Sequence, residues 1–341
     1  MEKEVILGFS GGVDSFYSAY LLKQQGFKVF PVLFRLSGKE DIKKAEKSAE
    51  LLGLKLTVID YRELFRKVVV DYFINSYRKG ITPNPCVVCN REIKMKKLYE
   101  LSLKTGIPLV ATGHYARCVY SADFSQKVIV RGVERNKEQS YFLSMVSRDI
   151  VDRLILPLEN LTKNEVINGA ESLGFNFSGE SQDICFIKGS LYSFLRKHIG
   201  KKKGIFVLSD GTEIGKFNAF YRYTVGQRRG LGISYRHPLY VLKIDVENNK
   251  IILGSKDELL KDSFYVKDTV WQVSPEKFRD RPVEVQVRHR GKTAAVKEFI
   301  LLKNGRIFVK LQASLEAPTP GQVCAFYSGN TLLGGGEITT L

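Results

Sequence analysis

The sequence predicts an α/β chain: an N-terminal doubly wound parallel sheet, a central small domain and a C-terminal β-barrel. Three observations lead there. Apolar runs alternate with helical patterns over residues 1–113, and that β-α-β-α-β order calls for parallel strands joined by crossover helices. The basic stretch Lys201-Lys202-Lys203-Gly204 breaks the pattern. Beyond it lie short strands separated by turn residues, and from residue 262 onward their spacing suits a small barrel. The expected units are residues 1–160, 161–261 and 262–341.

Val5-Ile6-Leu7 reads as a buried strand, and Val13, Phe16, Tyr17, Tyr20 and Leu21 share one face of the helix after it. Residues 29–34 form a second strand. Residues 41–52 form a helix with Ile42, Ala45, Ala49 and Leu52 on one side and Gly53 as its stop. A strand over 56–59 precedes helices over 62–79 and 91–105, which stop at Gly80 and Gly106. Leu109-Val110-Ala111-Thr112-Gly113 is the next strand and ends at His114. Residues 114–160 read as an irregular hairpin region with a strand at 128–130. Thr162 and Glu165 form a capping box that opens a helix carrying Val166, Ala170 and Leu173 and stopping at Gly174. A loop, Ser181-Gln182-Asp183-Ile184-Cys185-Phe186, leads to a short helix over 190–198. Asp210-Gly211 turns a hairpin between 205–208 and 212–214, and Asn248-Asn249 turns another. Strands over 283–287, 293–299, 306–311 and 322–327, with Asn304-Gly305 as a turn, build the barrel, and Trp271 serves as a core or interdomain anchor.

Between the first strand and its helix lies Gly8-Phe9-Ser10-Gly11-Gly12-Val13-Asp14-Ser15. Strand, glycine turn and helix together aim free backbone N–H groups at an anion, and the helix dipole favours negative charge there. Ser10 and Ser15 add hydroxyls, and Asp14 is placed to hold Mg2+. No Gly-Lys-Ser/Thr closes the loop, so it is not a Walker A loop, and the Gly-x-Gly-x-x-Gly of a Rossmann turn is missing. In a doubly wound sheet ligands sit at the carboxyl ends of the strands, which brings this loop, Gly113 and His114 together. Phe34, at the end of the second strand, serves there either as an adenine platform or as a core aromatic.

The 44% hydrophobic and 26% charged content is that of a globular protein. A net charge of +17 points to a polyanionic partner, RNA or DNA first, or else to a merely basic surface. The apolar runs are too short to span a membrane, the first strand follows the N-terminus directly, and a cytoplasmic location is expected. There the five cysteines stay reduced, and Cys86-x-x-Cys89 points to redox or metal chemistry. Pro83 and Pro85 predict an extended approach without helix before Cys86. A helix starting near Asn90 then puts Cys89 at a helix N-terminus, where a thiolate is stabilised. Cys118 and Cys324 lie in strand-like apolar runs and read as small hydrophobes.

The loop Ser-Gly-Gly-Val-Asp-Ser resembles that of the ATP pyrophosphatases, enzymes that adenylate a substrate oxygen. Further motifs occur in order: Thr82-Pro83-Asn84-Pro85 with Cys89-Asn90, Thr112-Gly113-His114-Tyr115-Ala116-Arg117, Gln139-Ser140-Tyr141-Phe142-Leu143, the Ser181 to Phe186 loop, and Tyr223-Thr224-Val225-Gly226-Gln227-Arg228-Arg229-Gly230-Leu231-Gly232. Together they resemble the bacterial tRNA-specific 2-thiouridylase family over nearly the whole chain. The resemblance implies an adenine nucleotide α-hydrolase-like first domain and ATP-dependent 2-thiolation of wobble uridine 34 of tRNA. It implies ATP contacts from Gly8, Phe9, Ser10, Gly11, Gly12, Val13, Asp14, Ser15, Phe34 and Gly113. It implies a persulfide on Cys185, supplied by a sulfur-relay protein or a cysteine desulfurase, and a resolving thiol on Cys89 able to form a disulfide with Cys185. It implies contact of Asn84, Pro85 and Cys86 with the target base, and of Lys137, Glu138, Gln139, Arg288 and His289 with tRNA.

Two positions depart from the family pattern. Cys86 stands where aspartate is common, and Glu138 also replaces an aspartate. With Cys86, Cys89 and Cys185 near one another, the three thiols admit a persulfide–disulfide relay or three ligands of a [4Fe–4S] cluster. Zinc is a third option, with His114 as the candidate fourth ligand. His114 also suits a phosphate contact or plain packing at the strand end. Gln227, Arg228 and Arg229 suit RNA phosphates or a solvated turn, and Lys201 to Lys203 a solvated linker. The rivals are another adenylating ligase, in which the thiols would be idle, and a tRNA-binding protein without catalysis, in which loop or thiols should be lost.

Overall fold

The computed structural model describes residues 3–177, 179 and 184–340. In chain order the first part runs β1 (Lys3–Gly8), α1 (Val13–Gln24), β2 (Phe27–Arg35), α2 (Ile42–Glu50), β3 (Thr57–Asp60), α3 (Arg62–Phe65) and α4 (Asp71–Arg78). It continues with α5 (Pro85–Cys89), α6 (Met95–Thr105), β4 (Leu109–Ala111), β5 (Ala116–Ser121), β6 (Gln126–Arg131), α7 (Arg148–Arg153), β7 (Leu154–Ile155) and α8 (Lys163–Ser172). The parallel sheet has the order β3-β2-β1-β4-β7, with Val5 beside both Val29 and Leu109. Chain crossovers from β1 run to opposite sides, so a switch point opens at the carboxyl ends of β1 and β4. Val5, Ile6 and Leu7 are fully buried, as a strand covered by helices on both faces requires.

Two helical stretches differ from expectation. The helix over 62–79 is α3 and α4 joined by a π-helical turn, Arg66–Val70. The helix expected from residue 91 starts six residues earlier, at Pro85, and passes through a second π turn, Asn90–Lys94, before α6. Proline is well tolerated at the first helical position, where its missing N–H has no intrahelical partner. Asn84 caps the helix by accepting from Val87 N at 3.2 Å. The capping box at Thr162 forms as expected.

After α9 (Leu191–Ile199) come β8 (Gly204–Leu208), β9 (Glu213–Phe217), β10 (Tyr240–Asp245) and β11 (Lys250–Gly254), in a sheet of order β10-β11-β8-β9. The last part comprises β12 (Leu260–Trp271), β13 (Glu284–Gln286), β14 (Ala294–Leu301), β15 (Ile307–Glu316), β16 (Val323–Ser328) and β17 (Thr331–Thr339). These six antiparallel strands run β12-β15-β14-β13-β16-β17, and β17 pairs back onto β12 to close the barrel. The sequence pattern hid β12 and β17. Gly334-Gly335-Gly336 lies inside β17, where a Cβ on Gly334 would sit 2.3 Å from Val270 O, so glycine lets the two strands cross closely. Trp271 packs on Phe278, Phe299 and Phe326 within the barrel.

The hairpin β5–β6 leaves the first part to join the barrel sheet, with Thr331 opposite Val130 and Leu332 opposite Ile129. One apolar core therefore contains Ile6 and Val110 of the parallel sheet together with Val323, Tyr327 and Leu332 of the barrel. No helix among the described residues is long and apolar enough to cross a membrane.

Candidate active site

The glycine loop needs its glycines for space. Gly11 has φ +76°, and a Cβ there would lie 2.6 Å from Ala45 Cα of α2. Gly12 is the N-cap of α1 and carries no side-chain cap, which leaves the first-turn N–H groups for an anion. Ser15 Oγ donates to Gly12 O at 2.9 Å and lies 3.3 Å from Ser10 Oγ. Asp14 Oδ1 accepts from Tyr115 OH at 2.7 Å and pairs with Lys163 Nζ at 2.6 Å. Lys163 opens α8, so the capping box at Thr162 aims it at this loop.

Three cavities meet here. The first, of about 250 Å3, is lined by Gly8, Phe9, Ser10, Asp14, Ser15, Phe34 and Gly113, and also by Lys94, His114 and Gln139. The second, of about 180 Å3, is lined by Pro85, Cys86, Cys89, Asn90 and Cys185, and again by Lys94, His114 and Gln139. The third, of about 350 Å3, is basic: Lys44, Lys137, Lys163 and Arg290 face Ser10, Gly12, Asp14 and Gln139. Glycine loop and thiols thus flank one partition.

The thiols are held by helix and loop. Because the helix starts at Pro85, Cys86 occupies its first turn and is exposed, whereas Cys89 closes α5 and is buried. This corrects the expected N-terminal position of Cys89. Burial pushes its thiol up to about 11, against the pull of Lys94. The cavity walls crowd water from the Cys86 and Cys185 sulfurs as well and raise both thiols, and in each Lys94 is the leading opposing charge. Phe186 anchors the Cys185 loop among Phe65, Phe73 and Phe194. Lys39 Nζ holds the same loop through Ile187 O at 2.5 Å. Ser181, Gln182 and Asp183 of that motif lie outside the described residues.

Burial lowers the His114 imidazole to about 3, and the nearby Lys94 charge acts in the same direction. Its Nδ1 lies 2.9 Å from Thr112 Oγ1, and its Nε2 lies 3.4 Å from Asn90 Nδ2. The amide donates to Nε2, which assigns the proton to Nδ1 and engages both nitrogens. Among the described residues no group of three or more His, Cys, Asp or Glu is placed to hold a metal ion. The three thiols share a cavity without forming a ligand set.

Three family models match in succession: a tRNA methyl transferase HUP domain over residues 3–189, a tRNA methyl transferase PRC-barrel domain over 192–255, and an aminomethyltransferase beta-barrel domain over 261–338. The tRNA-specific 2-thiouridylase MnmA of Persephonella marina is 39% identical over 98% of this chain and 99% of its own length. That of Aquifex aeolicus is 38% identical over 98% of each. The chain belongs to the tRNA-specific 2-thiouridylase family. Among solved structures, a 4-thiouridine synthetase–RNA complex with bound ATP aligns at 16% identity and a TM-score of 0.34, covering 50% of this chain and 41% of that one.

The remaining thiouridylase motif residues fall into two groups. Lys137 and Gln139 line cavities, and Gln139 is pinned by mutual bonds with Tyr115: Gln139 N to Tyr115 O at 2.9 Å, and Tyr115 N to Gln139 Oε1 at 3.0 Å. His289 lines the basic cavity and packs on Phe142 with centroids 4.4 Å apart, while Arg288 is exposed beside it. Other motif residues face inward. Glu138 is buried, accepts from Ser140 N at 2.5 Å and pairs with Arg131 at 3.4 Å. Asn84 is buried as the cap of α5. Arg228 lines a separate groove on the central unit that shares no lining residue with the three cavities. Lys94 and Lys163 were not singled out in the sequence. The capping box carried the signal for Lys163. Lys94 stands five residues after Cys89, a spacing that returns to the same face only where a π turn replaces α.

Proposed function

We propose that this chain converts the wobble uridine of tRNA to 2-thiouridine in an ATP-dependent reaction. One observation carries the reading: the glycine-loop cavity and the three-thiol cavity share Lys94, His114 and Gln139, so a base held at that wall reaches both. The domain descriptions name methyl transfer, but an adenylating loop beside thiols suits sulfur transfer, as in the curated relatives. In the first step uridine O2 attacks the α phosphate of ATP, an O–P bond forms and pyrophosphate leaves. In the second, the terminal sulfur of a Cys185 persulfide attacks C2 and AMP leaves. Cys89 thiolate then attacks Cys185 Sγ, forming a disulfide and leaving the sulfur on C2; an external dithiol resets the pair. Adenylation is required because the urea-like oxygen is a poor leaving group.

Gly8 to Ser15, Phe34 and Gly113 hold ATP in this reading, and Lys44, Lys137 and Lys163 face its phosphates. Mg2+ neutralises phosphate charge when bound. Asp14 fits it through one oxygen only, since Oδ1 already serves Tyr115 and Lys163. The relay is favoured over a [4Fe–4S] cluster or zinc because the thiols form no ligand set with one another or with His114. Asn84, Pro85 and Cys86 border the base, and Arg288 and His289 extend the contact to the barrel. Residues 1–160 activate, 161–261 deliver the second cysteine and 262–341 grip tRNA. The sulfur donor is a sulfur-relay protein or a cysteine desulfurase.

The test is formation of 2-thiouridine in a tRNA transcript supplied with ATP and a persulfide donor, with AMP counted in parallel. Wild type should yield both, and Cys185→Ser should bind tRNA yet yield no thiouridine. Thiolation by that variant at the wild-type rate would refute the persulfide assignment.

A further inference from the structure

Lys94 has no role in the mechanism above, yet its position is unusual. It ends the π turn Asn90–Lys94, whose five-residue spacing carries it back to the side of Cys89. It lines both the glycine-loop cavity and the thiol cavity, with much of its surface open to them. Among the described residues no carboxylate forms an ion pair with it. Among the described residues Glu40 acts on it through space, and the Glu40 carboxylate is already taken by the N–H groups of Leu36, Ser37 and Gly38 and by the Ser37 hydroxyl. Lys39, which also acts on Cys185, is spent on Ile187 O. His114 beside it is neutral. A lysine between two cavities that forms no ion pair with a carboxylate among the described residues is suited to anions that arrive with the reaction.

We propose that Lys94 is the shared counter-charge of the two half-reactions, meeting the sulfur anion in one cavity and the departing AMP phosphate in the other. The inference rests on the thiolation reading and adds a residue to it. The charge serves coupling. The adenylated base has two fates: attack by sulfur, giving thiouridine and AMP, or attack by water, returning uridine and AMP. Lys94 raises the thiolate share of Cys185 and steadies the leaving phosphate, so sulfur wins.

Lys94→Gln and Lys94→Arg test this by two readouts. Without tRNA or ATP, iodoacetamide labelling of Cys185 at neutral pH should slow about tenfold in Lys94→Gln and stay near wild type in Lys94→Arg. With tRNA and ATP, AMP released per thiouridine should rise roughly tenfold in Lys94→Gln and be restored in Lys94→Arg, whereas simple loss of structure would lower both products together. Unchanged labelling, or a Lys94→Gln enzyme that stays coupled at the wild-type rate, overturns the proposal. If wild type makes no thiouridine while labelling still depends on Lys94, the thiolation reading falls and the pairing of Lys94 with the thiols stands.

Discussion

At the scale of single residues, one cavity gives its thiols different lives. Cys86 and Cys185 open to the cavity, while Cys89 is buried and its thiol is pushed up to about 11. Since the thiolate is the reactive form, limited iodoacetamide should label Cys86 and Cys185 well before Cys89 in the free protein. Peptide mass mapping reads the order, and prior labelling of Cys89 would contradict the burial. His114 gives a second prediction. Its folded-state value of about 3 lies below the ~6.5 of an unfolded histidine, so in the window between them the unfolded chain binds a proton that the folded chain does not. Its contribution is therefore whole above about pH 6.5 and is lost as pH falls toward 3. Urea midpoints should drop between about pH 7 and pH 5 in wild type, and by less in His114→Gln. An equal drop in both would place the titration elsewhere.

At the scale of elements, the cap of α5 sets where the thiols point. Asn84→Ala removes the bond to Val87 N in a buried setting and should cost about 1 kcal/mol, while Asn84→Asp should recover most of it, as read from urea unfolding. The alanine variant should also lose thiolation more than stability, because Cys86 sits in the turn that frays. This helix start is ambiguous in the sequence, because Pro85 bars helix before it and yet suits the first helical position itself. The parallel strands were legible because their apolar runs are continuous, the barrel hairpin β14–β15 because Asn304-Gly305 marks its turn, and the central hairpin β10–β11 because Asn248-Asn249 marks another. The two π turns were not legible, since one extra residue leaves no mark in an apolar pattern. Nor was β17, where Gly334 and Gly336 allow the close crossing of β12 and Gly335 the close approach of Ser144 and of Cys324 O. The motifs named the loop and the cysteines, but the partition through Lys94 and Gln139 needed the fold.

At the scale of the whole molecule, barrel and nucleotide sheet stand or fall together. The hairpin β5–β6 pairs with β17, Tyr141 OH donates to Val323 O at 2.8 Å, and Gln322 Nε2 reaches Thr82 O at 3.0 Å. At the centre of this joint lies Arg131. Its guanidinium carbon is 3.7 Å from the centre of the Tyr327 ring, and Nη1 meets Gln286 Oε1 at 2.9 Å and Glu138 Oε2 at 3.4 Å. Glu138 sits between Lys137 and Gln139, so the same ion pair that joins barrel to sheet also holds two residues lining the basic cavity. Removing one partner leaves a buried charge alone, which typically costs roughly 3–5 kcal/mol, whereas removing both leaves none. Arg131→Met should therefore lower the melting temperature sharply. The double variant Arg131→Met/Glu138→Gln should recover a large part of that loss, because the uncompensated carboxylate is gone. Calorimetry should show one transition in wild type, since one apolar core spans both parts. Two separate transitions in wild type, or additive losses in the double variant, would mean that the joint is a contact between independent bodies rather than part of a common core.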